Sequence, residues 1–145
     1  MAVTLNASTS AGLIQTADTT GVISLQNNGT TGLTLTSGNL QFNSGYGSVA
    51  TAYGCRAWVN FNGIGTVSIT GSGNVSSITD GGVGLYTINF TNAMPDTAFS
   101  AAAIPASDAR YVAYVSRTTS TLGISVANSA PTRYDVDPIM VQVFR

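Results

Sequence analysis

The amino-acid sequence predicts an all-β protein, and composition, periodicity and turn chemistry each support that class. The 145 residues include 20 Thr and 16 Gly but neither Glu nor Lys, so residues typical of strands and turns stand where strong helix formers are common. Apolar and polar residues alternate, as half-buried strands require. Asn-Gly and Asp-Gly pairs separate the alternating runs. Together these features predict an extended N-terminal segment followed by an antiparallel β-sandwich or jelly-roll-like domain.

Residues 1–50 are predicted to form the extended Thr/Gly-rich segment, which would serve assembly or attachment. Alternating pieces occur at 22–26, 33–35 and 40–42, with turn sequences between them. Roughly ten large apolar side chains in this segment are too few to enclose a core. The segment is therefore either a flexible low-complexity linker or a segment that wraps around or stacks on identical copies. Its regular alternation favours packing on copies.

Residues 51–145 are predicted to form the sandwich domain, because many short alternating runs follow one another with turn sequences between them. The Asn62-Gly63 pair is the strongest hairpin signal, and glycines at 71–74 and 80–82 predict further turns. The expected strands are 56–62, 64–70, 75–79, 84–90, 98–104, 110–117, 121–127 and 138–144.

The alternation also assigns side chains to faces. In the first strand of the predicted sandwich, Ala57, Val59 and Phe61 share the core side, whereas Trp58 faces away. The last strand is apolar on both sides, so both sides should be covered, although a two-layer sandwich covers only one. A second buried face on so short a chain predicts an oligomer. The predicted subunit interface consists of Trp58, Met140 and Phe144.

Composition excludes several classes of function. The chain has no His and one Cys, so a His-based triad, a His metal site and a Cys-rich metal site are all excluded. A net charge of -1 offers no basic surface to nucleic acid. The apolar runs are too short to insert into a membrane. We therefore expect no enzyme activity, no catalytic residue, no cofactor and no metal, and we expect Cys55 to be a small buried residue beside Trp58.

Asp135 and Asp137 share one face of an extended segment and are the best candidates for a cation site or an acid–base pair. Glycoside cleavage uses two carboxyl groups that face each other across the substrate, whereas neighbours on one strand lie side by side. The favoured interpretation is a charged loop before the last strand, with Arg117 or Arg133 as partner.

A mixture of tyrosine and arginine in the last third of the chain is the candidate ligand-binding surface. Aromatic faces stack on sugar rings, and polar groups beside them bind sugar hydroxyls, so this mixture suits a glycan. The alternative is that these rings pack the sandwich or the subunit interface. The candidate contact residues are Tyr111, Tyr114, Tyr134, Arg110, Arg117 and Arg133.

Four stretches resemble a β-rich domain of virion structural proteins of tailed bacteriophages. They are CRAWVNFNG at 55–63, GNVSSITD at 73–80, GLYTINF at 84–90 and AMPD at 93–96. Domains of this kind often stand at the C-terminal end of tail fibres, including those of phages that infect cyanobacteria. The resemblance covers about residues 50–145, and the segment 21–35 is similar to the Thr/Gly-rich stretches of phage fibres.

The resemblance implies a non-enzymatic homotrimer on the surface of the phage particle, with the C-terminal domain as a knob that contacts the host. The expected function is a short tail fibre or fibre knob for multivalent attachment. Expected partners are tail, baseplate or capsid proteins and a host-surface glycan. Phage fibres are usually much longer than this chain. The alternative function is therefore a capsid decoration protein, a trimer that staples capsid subunits together. A stand-alone carbohydrate-binding module is a weaker alternative.

Overall fold

Twelve β-strands and no helix make up the described part of the chain, which is residues 21–43, 49–107 and 109–145 of a computed structural model. The strands form three antiparallel sheets, so the all-β prediction is confirmed. The chain divides into two compact units between Ala52 and Tyr53. None of these residues belongs to a helix that would cross a membrane.

The first unit is a four-stranded meander in which each strand pairs with the next one along the chain. Asn28 and Gly29 have φ angles of 50° and 75°, and Ser37 and Gly38 have φ angles of 49° and 76°. Two successive residues with positive φ form the turn that matches the twist of a hairpin. The pieces predicted to be extended are therefore hydrogen-bonded to one another. The strands are β1 Val22–Asn27, β2 Thr30–Thr36, β3 Asn39–Phe42 and β4 Ala50–Thr51.

The second unit contains eight strands in two four-stranded sheets, and seven of the eight lie within two residues of the predicted bounds. They are β5 Cys55–Asn62, β6 Ser68–Gly73, β7 Val75–Asp80, β8 Leu85–Phe90, β9 Ser100–Pro105, β10 Tyr111–Arg117, β11 Thr121–Ala127 and β12 Ile139–Phe144. Sheet I has the strand order β6-β5-β12-β9, and sheet II has the order β10-β11-β8-β7.

The exception is β6, which is predicted at 64–70 and lies at Ser68–Gly73. The Asn62-Gly63 pair begins the hairpin between β5 and β6 but does not form a two-residue turn, because the Gly63 amide donates to the carbonyl of Val136 at 2.9 Å and so leaves the sheet. The side-chain oxygen of Asn62 accepts a hydrogen bond from the amide of Ile64 at 2.7 Å, and this bond turns the backbone. Pairing with β5 resumes only at the start of β6, so two glycines predicted as a turn lie inside a strand.

Inward-facing side chains of both sheets form one apolar core, as the alternation predicts. On β5, Ala57, Val59 and Phe61 are buried, whereas Trp58 is exposed. The Phe61 ring packs edge-on against Tyr86 of sheet II, with ring centroids 5.2 Å apart. On β12 only the inner set of side chains is buried, so the sandwich of a single chain covers one face of this strand. The inner set is Ile139, Val141 and Val143.

The two sides of the sandwich are closed differently. On one side, Asn74 with a φ of 56° connects β6 to β7, and its side-chain amide donates to the carbonyls of Arg56 and Asn92 at 3.1 Å each. On the other side, the edge strands β9 and β10 are neighbours that belong to different sheets. Backbone hydrogen bonds of a ladder do not join these two edges, so this side of the sandwich holds a cleft.

Candidate functional site

The cleft between β9 and β10, here called the Arg117 cleft, contains two of the six candidate glycan residues, Tyr114 and Arg117. Its volume is about 330 Å³. The floor is apolar and belongs to the core, and the walls carry small side chains that leave the space open. Phe99, Leu122 and Ile124 form the floor, and Ser100, Ala101, Ala103 and Ala113 are the small wall residues.

The Arg117 guanidinium is held at one end of this cleft by three contacts. Its Nη1 donates to the carbonyl oxygen of Phe99 at 2.8 Å. Its Cζ lies 5.6 Å from the ring centroid of Phe99 and 5.7 Å from that of Tyr114. Within the described residues it has no carboxylate partner, because the ion pair found there joins Arg145 to Asp96. The guanidinium is therefore oriented, while no carboxylate of the described residues neutralises its charge.

The other four candidate residues lie around Ala127, toward the opposite end of β10. Arg110 stacks on the ring of Tyr134 with 3.7 Å between its Cζ and the ring centroid. Tyr111 pairs with Ala127 on one side, and Arg133 forms an isolated bridge with Ala127 on the other. The six residues predicted as one glycan surface thus form two groups, since Tyr111 and Tyr114 are three residues apart and project to opposite faces of the strand.

The predicted interface residues Trp58, Met140 and Phe144 lie together on the outer face of sheet I. Trp58 is 46% exposed and Met140 is 38% exposed. Between them is an open apolar pocket of about 510 Å³. We call this surface the Trp58 face. The outward side chains that line this pocket carry no formal charge; they are Cys55, Trp58, Asn60, Met140, Gln142 and Phe144.

Trp58 is held flat on the sheet by the two glycines of β6. Gly73 is its direct partner in the ladder, and a Cβ built on either glycine would meet the indole ring. One side of the ring is thus packed on backbone and the other faces out. Beside it, the side-chain oxygen of Asn60 is buried and has no hydrogen-bond partner among the described residues. A flat aromatic ring that is packed on one side and open on the other is a surface suited to a covering molecule that brings apolar area.

Cys55 is exposed, so the prediction that it is a buried residue is wrong. Strict alternation would place it on the core side with Ala57. The register between β5 and β12 shifts between Val143 and Phe144, and this bulge turns Cys55 to the outer face of the sheet. Its prediction as a neighbour of Trp58 is correct, because both residues line the same pocket.

Asp135 has a structural role in the sandwich. Its Oδ1 accepts hydrogen bonds from the Tyr86 hydroxyl and from the Gly84 amide, both at 2.7 Å. Neither Arg117 nor Arg133 forms an ion pair with it, so the predicted partners are wrong for this residue. The link joins residues 49 positions apart, and no pattern in the sequence signals it. Burial, followed by the hydrogen bond to Asp135, raises the pKa of Tyr86 well above its ordinary value.

No protein-family model, no curated protein and no solved structure matches this chain. The resemblance to phage virion proteins therefore remains an expectation, and it rests on the four stretches at 55–63, 73–80, 84–90 and 93–96.

Proposed function

We propose that this chain is a structural virion protein of a tailed bacteriophage, a short tail fibre or fibre knob. It assembles as a homotrimer on the surface of the particle and attaches to host-surface glycans by multivalent binding. The observation that carries the proposal is the Trp58 face, an uncharged and uncovered apolar surface on the strand predicted to be buried on both sides. The resemblance of residues 50–145 to phage domains supplies the biological setting.

The Trp58 face supports assembly because its exposed apolar side chains gain free energy when a neighbouring molecule removes them from water. Burial of a half-exposed large apolar side chain contributes about 1 kcal/mol. Trp58 and Met140 provide such area, and Ile104, the ladder neighbour of Met140, extends it with an exposed fraction of 62%. Aromatic residues and Met at the centre of an uncharged patch are typical of interface cores.

The Arg117 cleft supports attachment. Its volume of about 330 Å³ lies at the lower end of the range for ligand pockets, which suits one sugar ring and not an oligosaccharide. The apolar floor can contact the C–H face of a sugar, and Tyr114 stands at the rim beside Arg117. Because the guanidinium has no acidic neighbour in the described part of the chain, a saccharide that carries a carboxylate is the preferred ligand.

One such cleft per subunit would bind weakly, and the assembly compensates for this. A homotrimer presents three equivalent clefts, and linked weak sites can raise overall avidity about 10²–10⁴-fold without any new contact. Weak and repeated binding of this kind is what reversible adsorption to a cell surface requires. This is how trimer formation and attachment fit one function.

Binding of the purified protein to immobilised saccharides tests the attachment site. We expect the wild type to bind an acidic polysaccharide such as polygalacturonate more tightly than a neutral one such as dextran. Arg117→Gln should lower the affinity about tenfold or more, because a charge-assisted hydrogen bond contributes roughly 1.5–3 kcal/mol. The matched control is Arg133→Gln, which removes an exposed arginine that does not line the cleft.

Equal binding by wild type and Arg117→Gln would contradict the cleft as the ligand site. Competition between purified protein and phage for host cells tests attachment itself, and protein that neither binds cells nor reduces adsorption contradicts it. Imaging of the particle distinguishes the alternative, because a capsid decoration protein occurs in hundreds of copies on the capsid and a fibre in few copies on the tail.

A further inference from the structure

The meander of the first unit has one entirely apolar face. In the ladder between β1 and β2, Ile23 is opposite Leu35, and Leu25 is opposite Leu33. In the ladder between β2 and β3, Leu35 is opposite Leu40, and Leu33 is opposite Phe42. Opposite residues share a face, and so do residues two apart on one strand. This surface, which we call the meander face, consists of Ile23, Leu25, Leu33, Leu35, Leu40 and Phe42.

The opposite face of the same sheet is mostly polar. It carries Ser24, Thr34 and Gln41 across its centre, and Val22 is its large apolar side chain. The meander is therefore amphipathic in the way of a sheet that packs against a core on one side. Yet the meander face is open: Leu25 is 51% exposed, and Leu35, Leu40 and Phe42 are each 43–44% exposed.

A single amphipathic sheet is not a stable fold, because an apolar face must be buried against a second layer. Among the described residues of the first unit, Thr34 alone is buried, and it lies on the opposite face, so these residues enclose no apolar core. The hydrogen-bonded turns shape the meander, but its folding free energy has to come from whatever covers the meander face.

We infer that the meander face is covered by the meander faces of the other copies in the assembly, an inference that rests on the proposed trimer. Residues 21–43 contain no charged side chain, so identical faces meet without repulsion and a charged partner gains no ion pair there. Residues 1–20 of the same chain offer one alternating apolar run, at residues 1–7, which matches the length of one strand and is too short to match three. An identical copy of the chain carries the same apolar alternation on three strands and can therefore cover the whole meander face.

The size of the face also favours the proposed trimer over a separate partner. A stable interface buries about 800 Å² per partner, and six half-exposed side chains supply on the order of half of that area. The meander face is thus too small to hold two molecules together by itself. It acts with the Trp58 face, and one assembly that uses both surfaces reaches the area that either surface lacks.

Sedimentation of full-length variants across a dilution series tests this inference. Leu35→Asp places one carboxylate per chain in the proposed contact, whereas Val22→Asp makes the same kind of change on the opposite face of the same sheet. We expect wild type and Val22→Asp to sediment as trimers. Leu35→Asp should raise the concentration at which half of the chains are monomeric by about a hundredfold or more, because an unpaired charge is costly to bury.

The outcomes separate the two proposals. A wild-type monomer overturns the proposed trimer. A wild-type trimer in which Leu35→Asp and Val22→Asp dissociate at the same concentration overturns the role of the meander face and leaves the trimer standing.

A cross-linking experiment serves if Leu35→Asp does not fold. In a Cys55→Ser chain, Leu35→Cys should be joined between copies by a short bis-maleimide reagent, and Val22→Cys should not. If position 35 does not link copies of a trimeric protein, another segment such as residues 1–20 covers the meander face, and the inference is wrong.

Discussion

Tyr86 shows how one hydroxyl group joins distant parts of the sandwich. Its ring is buried against Phe61, while its hydroxyl donates to Asp135 at 2.7 Å. The Asp135 carboxylate also accepts the amide of Gly84, so two loops are attached to the same side chain. A buried hydroxyl paired with a carboxylate is favourable only while the hydroxyl keeps its proton.

The raised pKa of Tyr86 makes stability depend on pH in the alkaline range. A tyrosine whose pKa is higher in the folded state than in the unfolded state contributes its full stabilisation below about pH 10, and this is lost as the pH rises above that value. We expect the free energy of unfolding to fall by about 1.4 kcal/mol per pH unit from pH 10 upward. Urea denaturation at several pH values measures this slope.

Tyr86→Phe and Tyr53→Phe are the matched variants for this measurement. Tyr86→Phe should lower stability at pH 8 by about 1–3 kcal/mol through the lost hydrogen bond, and it should flatten the alkaline slope. Tyr53 is 72% exposed, so its replacement should leave both the stability and the slope near the wild-type values. An unchanged slope in Tyr86→Phe would rule out this hydroxyl as the source.

At the scale of single elements, β12 contributes both to the core of the sandwich and to the Trp58 face. Its inner side chains belong to the core, and its outer side chains form the centre of the Trp58 face between β5 and β9. The strand thus links folding to the proposed assembly, because its inner side chains pack the sandwich and its outer side chains would contact the neighbouring subunit of that assembly.

Met140→Asp tests the outer side of β12 without disturbing its inner side. We expect the variant to keep its β-sheet circular dichroism signal and to sediment as a smaller species than wild type, since a charge at the centre of an apolar interface opposes association. Val83→Asp is the control, because Val83 is 60% exposed in the turn before β8 and belongs to neither apolar face. Equal sedimentation of both variants with wild type would show that the Trp58 face stays free.

The strands also show which features a sequence pattern predicts and which it does not. The alternation of β5 and β12 predicts their inner faces correctly, because side chains of a strand point to opposite sides whatever its neighbours are. The position of β6 is not predictable in this way, since its Gly-Ser-Gly run is typical of a turn. In the structure the run is a strand whose glycines are covered by Trp58 of the neighbouring strand β5, and that contact depends on strand pairing.

At the scale of the whole molecule, both units have apolar surface that one chain leaves open. If copies of the chain cover these surfaces, folding and assembly are a single equilibrium, and stability depends on protein concentration. We expect the melting temperature to fall by about 3 °C for each tenfold dilution, from a per-chain entropy of unfolding typical of this length. Differential scanning fluorimetry over a dilution series measures it, and a melting temperature independent of concentration would indicate a stable monomer.

The sequence by itself determined the all-β class, the positions of most strands and the side of each strand that faces the core. These properties are local, because residue period and turn chemistry act over a few neighbours along the chain. Only the tertiary structure decided that Cys55 faces out, that Asp135 binds Tyr86, that the candidate glycan residues form two groups, and that the meander face is open. Each of these depends on bulges, registers and contacts between residues far apart in sequence, which no local pattern encodes.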